Sequence, residues 1–150
     1  MLLRKILVAV DGSENSDNAL DFALGLAEKF SSAIVILNVS ESPIIGVVPQ
    51  ESTSYPVGNM AVFAKDFLKI HEQILSKAVS HTKEAKLDLA ISSMLKEGEP
   101  ALEIVNVAKE GGFDVIVIGH KGLGRVAERF LGAVSEKVAH LATCPVIIVR

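Results

Sequence analysis

Residues 5–24 read KILVAVDGSENSDNALDFAL, and this stretch decides the class of the fold. Ile6–Val10 is a continuous run of apolar residues, which is typical of a strand buried on both faces of a sheet. The Asp-Gly pair that follows is a turn dipeptide. From Ser16 to Phe30, apolar residues recur every three or four positions, which predicts an amphipathic helix. The chain therefore opens with a strand, a turn and a helix.

The same alternation continues along the rest of the chain. Short runs rich in Val and Ile, with one weaker run between them, predict four more strands, at Ala33–Val39, Leu89–Lys96, Val115–Ile118 and Val146–Val149. A second helical pattern covers about residues 59–86, a third begins at Glu99-Pro100, and a fourth covers about residues 134–141. We expect Gly111-Gly112 to end the third helix in the left-handed conformation. Strands that alternate with helices predict an α/β fold, with an open parallel sheet, right-handed crossovers and helices on both faces.

The composition fits one globular domain that spans residues 1–150. The chain has 150 residues, 49% of them hydrophobic and 22% charged, and a net charge of −3. A domain of this length buries about 70% of its unfolded surface, so its core needs neither a disulfide nor a structural metal. A pI near 5.8 with interspersed charges disfavours a nucleic-acid surface. The four histidines are too widely separated to predict metal ligands.

The amino end and the single cysteine indicate the compartment. The opening MLLRKILVAV mixes two basic residues into a short apolar run, unlike the uninterrupted apolar stretch of a signal peptide. No segment approaches the roughly 20 apolar residues that a membrane span needs. We therefore expect a cytoplasmic protein, and a reduced thiol at Cys144 is consistent with that compartment.

Two predicted strand ends carry residues suited to binding a ligand. In open α/β sheets, ligands bind beyond the carboxyl ends of the strands, where the strand order reverses. The first predicted strand ends in Val10-Asp11-Gly12-Ser13, and the fourth is followed by the loop GHKGLGR at residues 119–125. If the first and fourth strands are neighbours at the reversal, both loops line one crevice. Asp11 could stabilise the turn with Gly12, or it could face the crevice and bind a hydroxyl group.

The second loop has the features of an anion site. Glycines without Cβ can take a positive φ and let a phosphate approach their N–H groups, and they occur at Gly119, Gly122, Gly124 and Gly132. Gly132-Ala133-Val134-Ser135 adds the amino end of a helix, which favours negative charge, and the Ser135 hydroxyl is a further possible donor. Three cationic side chains nearby could assist a polyphosphate or simply be solvated: Lys121, Arg125 and Arg129.

No residue pattern predicts a fast enzyme. The sequence contains no GxSxG, HExxH or CxxC motif, so a covalent hydrolase or a metalloprotease is poorly supported. The groups near the crevice that could orient a water molecule are Asp11, His120 and Glu128. We therefore expect a binding protein rather than a fast enzyme.

The glycine spacing and the two ends of the chain resemble a known family. Gly119, Gly122 and Gly132 fall in the pattern G-x2-G-x9-G, within the ending VIVIGHKGLGRVAERFLGAVSEKVAHLATCPVIIV at residues 115–149. Together with the opening segment and the variable middle loop, this ending resembles the universal stress proteins over nearly the whole chain. The resemblance implies a Rossmann-like sheet of order 3-2-1-4-5, of the adenine nucleotide alpha hydrolase-like kind, and a homodimer.

The resemblance also implies an adenine nucleotide, ATP or AMP, with Mg²⁺ or Mn²⁺ held through the phosphates. Asp11 would hold the ribose, and the Val10 backbone and Val39 would border the adenine. The phosphates would lie against Gly119, Gly122, Gly132, Val134 and Ser135. The full set of residues expected to line the nucleotide site is Val10, Asp11, Gly12, Ser13, Val39, Gly119, His120, Gly122, Gly124, Arg125, Gly132, Ala133, Val134 and Ser135.

One position departs from the family pattern. ATP-binding members usually follow the last glycine with Ser or Thr, whereas this chain has Ala133. A hydrogen bond to a charged group contributes about 1.5 to 3 kcal/mol, so the affinity for ATP is expected to be lower by about one to two powers of ten.

Two hypotheses for the function therefore stay open. The first is a stress-response regulator or switch that binds an adenine nucleotide and is not an enzyme, with weak ATPase or autophosphorylation activity at most. The second is a homodimeric interaction module that does not bind nucleotide. In both, the apolar strand Val146–Val149 is expected to pair with a second copy, because an edge strand leaves N–H and C=O groups unpaired. The irregular segment Ser40–Gly58 is expected to be a lid or a partner surface.

Overall fold

Strands and helices alternate along the chain in the predicted order. The computed structural model describes residues 2–41, 57–85, 88–122 and 131–150, with side chains from residue 65 onward in the second range. The elements are β1 (Lys5–Ala9), α1 (Glu14–Phe30), β2 (Ala33–Ser40), α2 (Val57–Glu84), β3 (Ile91–Glu97), α3 (Pro100–Glu110), β4 (Val115–Gly119), α4 (Ala133–Leu141) and β5 (Val146–Val149).

All five strands belong to one parallel sheet of order β3-β2-β1-β4-β5. The central strand β1 pairs with β2 on one side and with β4 on the other; Val8, for example, lies opposite both Ile36 and Val117. The chain thus adds β2 and β3 to one side of β1 and then returns to add β4 and β5 to the other. The α/β class, the parallel sheet and the strand order are all confirmed.

The sheet has a hydrophobic core on each face. Alternate residues of β1 point to opposite faces: Ile6 and Val8 pack with residues of α1 and α2, whereas Leu7 and Ala9 pack with residues of α3 and α4. Helices therefore cover both faces, which explains why β1 is apolar throughout rather than alternating with polar residues.

Local hydrogen bonds set the ends of the helices. The helix α1 begins at Glu14, two residues before the predicted start, because Ser13 caps it: its side chain accepts a hydrogen bond from the N–H of Ser16 at 3.2 Å. The helix α3 begins at Pro100 as predicted. At its other end Gly111 has a φ of −82°, and the left-handed conformation belongs to Gly112 alone, with a φ of 62°.

Other boundaries differ by a few residues from the sequence prediction. The strand β3 runs from Ile91 to Glu97 rather than from Leu89 to Lys96. Of the segment predicted to be irregular, Ser40 is the last residue of β2, and α2 has already begun at Val57. The rest of that segment, residues 42–56, lies outside the described residues. None of the helices in the described ranges is both long and apolar enough to cross a bilayer.

Candidate functional site

The loops that follow β1 and β4 converge at the centre of the sheet. The two strands pair in parallel up to Ala9 and Ile118, and the strand order reverses between them. Beyond that pair, Gly122 lies so close to Asp11 that a Cβ on Gly122 would overlap the Oδ2 atom of the carboxylate. The two loops thus face each other, as the sequence predicts.

A cavity of about 330 Å³, which we call the reversal cavity, lies between these loops. The predicted residues that line it on the side of β1 and β2 are Val10, Asp11, Ser13 and Val39. Those that line it on the side of β4 and α4 are Gly119, Gly122, Gly132, Ala133, Val134 and Ser135. Gly124 and Arg125, which were also predicted, lie outside the described residues, as do Glu128 and Arg129.

Gly12 and His120 do not line the reversal cavity. Gly12 has a φ of 83° and faces α2, where a Cβ on it would lie 3.2 Å from Ile74. His120 takes part through its backbone, because its N–H donates to Val149 at 2.8 Å and its carbonyl accepts from the N–H of Gly132 at 2.7 Å. The residue is 9% exposed, and the Nδ1 atom of its imidazole has no hydrogen-bond partner among the described residues.

A second cavity of about 320 Å³, which we call the interhelix cavity, lies between α1 and α2. Its walls include Gly12 and, like those of the reversal cavity, Val10. At its rim, the Nε2 atom of His81 lies 2.5 Å from the Oδ1 atom of Asp21. This hydrogen bond raises the pKa of His81 above its ordinary value. The turn after β1 therefore separates two cavities.

The glycines of the second loop provide space rather than an unusual backbone conformation. None of Gly119, Gly122 and Gly132 has a φ in the left-handed region, so the expectation of a positive φ is wrong for them. A Cβ on Gly119 would lie 2.8 Å from the backbone of Asn15 in α1, and a Cβ on Gly132 would lie 3.0 Å from the Cα of Lys121. The absence of Cβ lets α1 and the loop pack closely around the reversal cavity.

The amino end of α4 presents unpaired donors to the reversal cavity. Gly132 is the N-cap residue and provides no side-chain hydrogen bond. Nothing in the described part of the chain accepts a hydrogen bond from the N–H groups of Ala133, Val134 or Ser135. Unpaired N–H groups at the positive end of a helix dipole are donors of the kind that bind anions.

The hydroxyl of Ser135 is used inside the protein. Ser135 is 2% exposed, and its Oγ atom lies 2.7 Å from the carbonyl oxygen of His120 and 3.0 Å from that of Gly132. Both oxygens are acceptors, so the single hydroxyl proton is directed at the loop rather than at the cavity. Ser135 thus fastens α4 to the loop after β4, and its backbone N–H is the donor that has no partner among the described residues.

Asp11 stabilises a turn with one carboxylate oxygen and leaves the other near the cavity. Its Oδ1 atom accepts a hydrogen bond from the N–H of Ser13 at 2.9 Å, which confirms the turn interpretation. The N–H of Asp11 donates in turn to the Oγ atom of Ser16 at 3.2 Å. Because Oδ2 is the oxygen beside Gly122, the two interpretations of Asp11 are compatible. The carboxylate is held in place for a second interaction.

Several lining residues were not among those that the sequence predicts. Ser16 lies three positions after the N-cap Ser13, and this serine spacing at a helix start is the signal that could have identified it. The other such residues are all apolar. A sequence does not distinguish an apolar residue beside a ligand site from one in an ordinary core, so no signal identifies them. They are Ala9, Leu37, Pro100, Ile104 and Ile118.

The reversal cavity combines an apolar wall with a few polar groups. Lys121 and Asp11 are the only ionisable side chains among its described lining residues. Apolar walls with a few convergent polar groups are typical of small-molecule sites. The structure, within its described ranges, holds no group of three or more His, Cys, Asp or Glu side chains that could bind a metal ion.

Comparisons with known proteins identify what the chain resembles. The family model described as Universal stress protein family matches residues 3–150. A universal stress protein of Bacillus subtilis is 36% identical over 154 aligned residues, which cover 99% of this chain and 100% of that protein.

Two solved structures resemble the chain over its whole length. One is a universal stress protein in complex with cAMP, with 26% identity, a TM-score of 0.72, and coverage of 100% of this chain and 99% of that one. The other is the universal stress protein from Archaeoglobus fulgidus in complex with dAMP, with 27% identity, a TM-score of 0.65 and coverage of 100% of both chains.

Proposed function

Because this chain belongs to the universal stress protein family, we propose that it is a cytoplasmic stress-response regulator that binds an adenine nucleotide in the reversal cavity. The observation that carries the proposal is the amino end of α4, where the N–H groups of Ala133, Val134 and Ser135 find no acceptor among the described residues. Two structurally similar family members are solved with cAMP and with dAMP. Both ligands are adenine nucleotides, which supports this ligand class.

The lining of the cavity supports one orientation of the nucleotide. The adenine would lie against the apolar wall formed by Leu37, Val39 and Ile104, and the ribose would be held by the Oδ2 atom of Asp11. The phosphates would then lie between Gly122 and the amino end of α4, where backbone N–H groups and the helix dipole favour negative charge. Lys121 supplies a positive charge at the same side of the cavity.

The size and the donors of the cavity bear on which nucleotide binds. At about 330 Å³ the cavity lies near the lower end of the range of ligand pockets, about 300 to 1,000 Å³, and it suits a mononucleotide. Ala133 offers no hydroxyl to the phosphates, so the affinity for a triphosphate is lower by the contribution of one hydrogen bond. With ATP, Mg²⁺ or Mn²⁺ would be bound through the phosphate oxygens, since phosphates are the usual ligands that bring these ions into a nucleotide site.

We propose binding rather than fast hydrolysis. A water molecule that attacks a phosphate needs a group that orients it. The Oδ1 atom of Asp11 is already bonded to the N–H of Ser13, and the Oδ2 atom would hold the ribose. The imidazole of His120 does not line the reversal cavity. Turnover, if measured with ATP, is expected to be slow compared with the binding step.

Isothermal titration calorimetry with AMP and with MgATP tests this proposal. We expect dissociation constants below the millimolar range for the unmodified protein and a loss of binding in Gly132→Val, because the added side chain collides with the backbone of Lys121. Gly25→Val is the matched control, since nothing lies within 4 Å of a Cβ at Gly25. A dissociation constant far above the millimolar range for both ligands would reject nucleotide binding.

A second candidate function is a homodimeric interaction module without a nucleotide. The observation that favours it is the position of β5 at the edge of the sheet, where all its residues, Val146–Val149, are half-buried. An apolar edge strand with unpaired N–H and C=O groups can pair with a second copy across a two-fold axis. The dimer is compatible with both functions, so the calorimetry decides between them.

A further inference from the structure

A chain of side-chain hydrogen bonds connects α2 to the end of β1. Asn38, in β2, is 1% exposed, and its Nδ2 atom donates to the carbonyl oxygen of Val10 at 2.7 Å. The Oδ1 atom of Asn38 lies 2.5 Å from the Nδ1 atom of His71 in α2. Three elements are thus joined through one buried amide, directly before the turn that carries Asp11.

The chemistry of the three groups fixes the direction of both hydrogen bonds. A carbonyl oxygen can only accept, so Val10 requires the NH₂ group of the Asn38 amide. The amide oxygen is then the atom that faces His71, and an oxygen also accepts. The proton of the second hydrogen bond must therefore be carried by Nδ1 of His71, which assigns the tautomer of the neutral imidazole.

The Val10 carbonyl depends on this amide because the strand pairing has already ended. The pairing of β1 with β2 ends at Ala9 and Leu37, and the N–H of Val10 still donates to the carbonyl of Leu37 at 2.9 Å. Past that point the Asn38 side chain takes the place of a strand hydrogen bond. The orientation of the Val10–Asp11 peptide is accordingly set by a side chain, and that side chain is held by His71.

His71 is itself held by its neighbours in α2. Its ring lies 4.8 Å, centroid to centroid, from the ring of Phe67, with an angle of 58° between the two planes. The ring is half-buried, and this burial lowers the pKa of His71 below its ordinary value. A ring packed in this way presents Nδ1 to Asn38 in a fixed direction.

We infer that His71 is a positioning residue, which acts through Asn38 to set the Val10–Asp11 turn and thereby couples α2 to the adenine and ribose end of the reversal cavity. The coupling to ligand affinity rests on the proposed function; the effect on the turn does not. Val10 lines the reversal cavity and Asp11 faces Gly122 across it, so a change in their shared peptide changes the distance between the two loops.

Three ligands separate this role from a general effect on folding. His71→Phe keeps an aromatic ring and removes the donor, whereas His71→Asn keeps a side-chain N–H at nearly the position of Nδ1. We expect His71→Phe to weaken binding of adenosine and AMP by about three- to tenfold, the equivalent of one hydrogen bond, and His71→Asn to restore most of the loss. Binding of inorganic tripolyphosphate, which would contact only the α4 side, should stay within twofold in both variants.

The control variant is His140→Phe, an exposed substitution in the last turn of α4, which should leave all three affinities unchanged. Asn38→Leu provides a second route if His71→Phe folds poorly, because it removes the amide at similar volume. In the Asn38→Leu background, His71→Phe should add no further loss, since the two residues act through one connection. Equal losses for AMP and tripolyphosphate, or additive losses in the double variant, would overturn the inference.

NMR of the ligand-free protein tests the turn without any nucleotide. We expect His71→Phe to shift the amide resonances of Asp11 and Gly12 and to speed hydrogen exchange at the Asp11 amide by about three- to tenfold, and His71→Asn to reverse both changes. Resonances that do not move in His71→Phe would refute the positioning role. If they move as expected while the unmodified protein binds neither AMP nor ATP, the positioning role stands and the proposed function fails.

Discussion

Gly122 can carry a side chain only if the Asp11 carboxylate moves, because a Cβ on Gly122 would overlap the Oδ2 atom of Asp11. This contact joins the loop after β4 to the loop after β1 across the sheet reversal. The same atom, Oδ2, is the carboxylate oxygen that takes no part in the turn, and it lies at the reversal cavity. The proposed site thus depends on two residues that are more than a hundred positions apart in the sequence.

Substitution of Gly122 by alanine should reduce nucleotide affinity with little effect on folding. The new methyl group displaces the Asp11 carboxylate, and we expect the dissociation constant of AMP to rise by about tenfold, which corresponds to about 1.4 kcal/mol. Calorimetry and thermal unfolding measure the two effects. Gly25→Ala, on the open side of α1, serves as control and should raise stability by about 0.5 to 1 kcal/mol without changing affinity. Unchanged AMP binding in Gly122→Ala would contradict the proposed position of the ribose.

Substitution of Ala133 by serine should strengthen binding of a triphosphate. The added hydroxyl lies at the first residue of α4, beside the unpaired N–H groups, and can donate to a phosphate oxygen. A hydrogen bond to a charged group contributes about 1.5 to 3 kcal/mol, so we expect MgATP to bind about ten- to a hundredfold more tightly. Ala139→Ser, exposed on the same helix, is the control. If Ala133→Ser binds MgATP no better, the phosphates do not lie at this end of α4.

The pKa values of the two histidines of α2 that have hydrogen-bond partners should be shifted in opposite directions. Burial lowers the pKa of His71, whereas the hydrogen bond to Asp21 raises the pKa of His81. The unfolded value of both is about 6.5. NMR titration of the ring C–H signals of the folded protein measures each pKa directly. A His71 pKa above 6.5 would contradict the first direction, and a His81 pKa below 6.5 would contradict the second.

These directions determine how each histidine contributes to stability. As the pH falls below about 6.5, His71 takes up a proton in the unfolded chain but not yet in the folded protein. The free energy of unfolding therefore decreases from about pH 6.5 downward until the pH reaches the lower pKa of the folded protein. The stabilising contribution of His81 is complete below about pH 6.5 and is lost as the pH rises through its higher folded pKa. Its partner Asp21 is largely exposed, so this second contribution is small.

Substitution of Ile148 by proline should disrupt the proposed dimer. The carbonyl of Pro145 accepts a hydrogen bond from Ile116 in β4, and that of Val149 accepts one from His120, directly after β4. The backbone of the alternate residues Val146 and Ile148 therefore faces the open edge. Proline at Ile148 removes an outward N–H without removing a bond to β4. We expect light scattering to report monomers for Ile148→Pro and dimers for the conservative control Ile148→Val. A dimer that persists in Ile148→Pro would exclude pairing through this edge.

The architecture is predictable from the sequence because a central strand that is buried on both faces consists of apolar residues throughout. The apolar run Ile6–Val10 has no polar alternation since helices cover both faces of the sheet, and this feature indicated the parallel α/β class. The strand order came from the resemblance rather than from periodicity, which carries no information on which strands are neighbours.

The chemistry of the site is less predictable from the sequence, as three features show. The glycines suggested an unusual backbone, whereas Gly119 is required because the backbone of Asn15 lies where its Cβ would be, a contact between distant residues. The sequence does not predict the wall formed by Leu37 and Ile104, because an apolar residue beside a ligand and one in a core look alike in a sequence. The hydrogen bond between Asn38 and His71 joins residues 33 positions apart, so no local pattern reveals it.

The turn after β1 is shared by both cavities, and this has a consequence for anything that enters either of them. Val10 belongs to both walls, Asp11 and Ser13 face one void, and Gly12 faces the other. A compound bound between α1 and α2 would therefore contact the same short piece of backbone as the proposed nucleotide, from the opposite side. Because one turn belongs to the walls of both cavities, we expect a ligand bound in one of them to change the affinity for a ligand in the other.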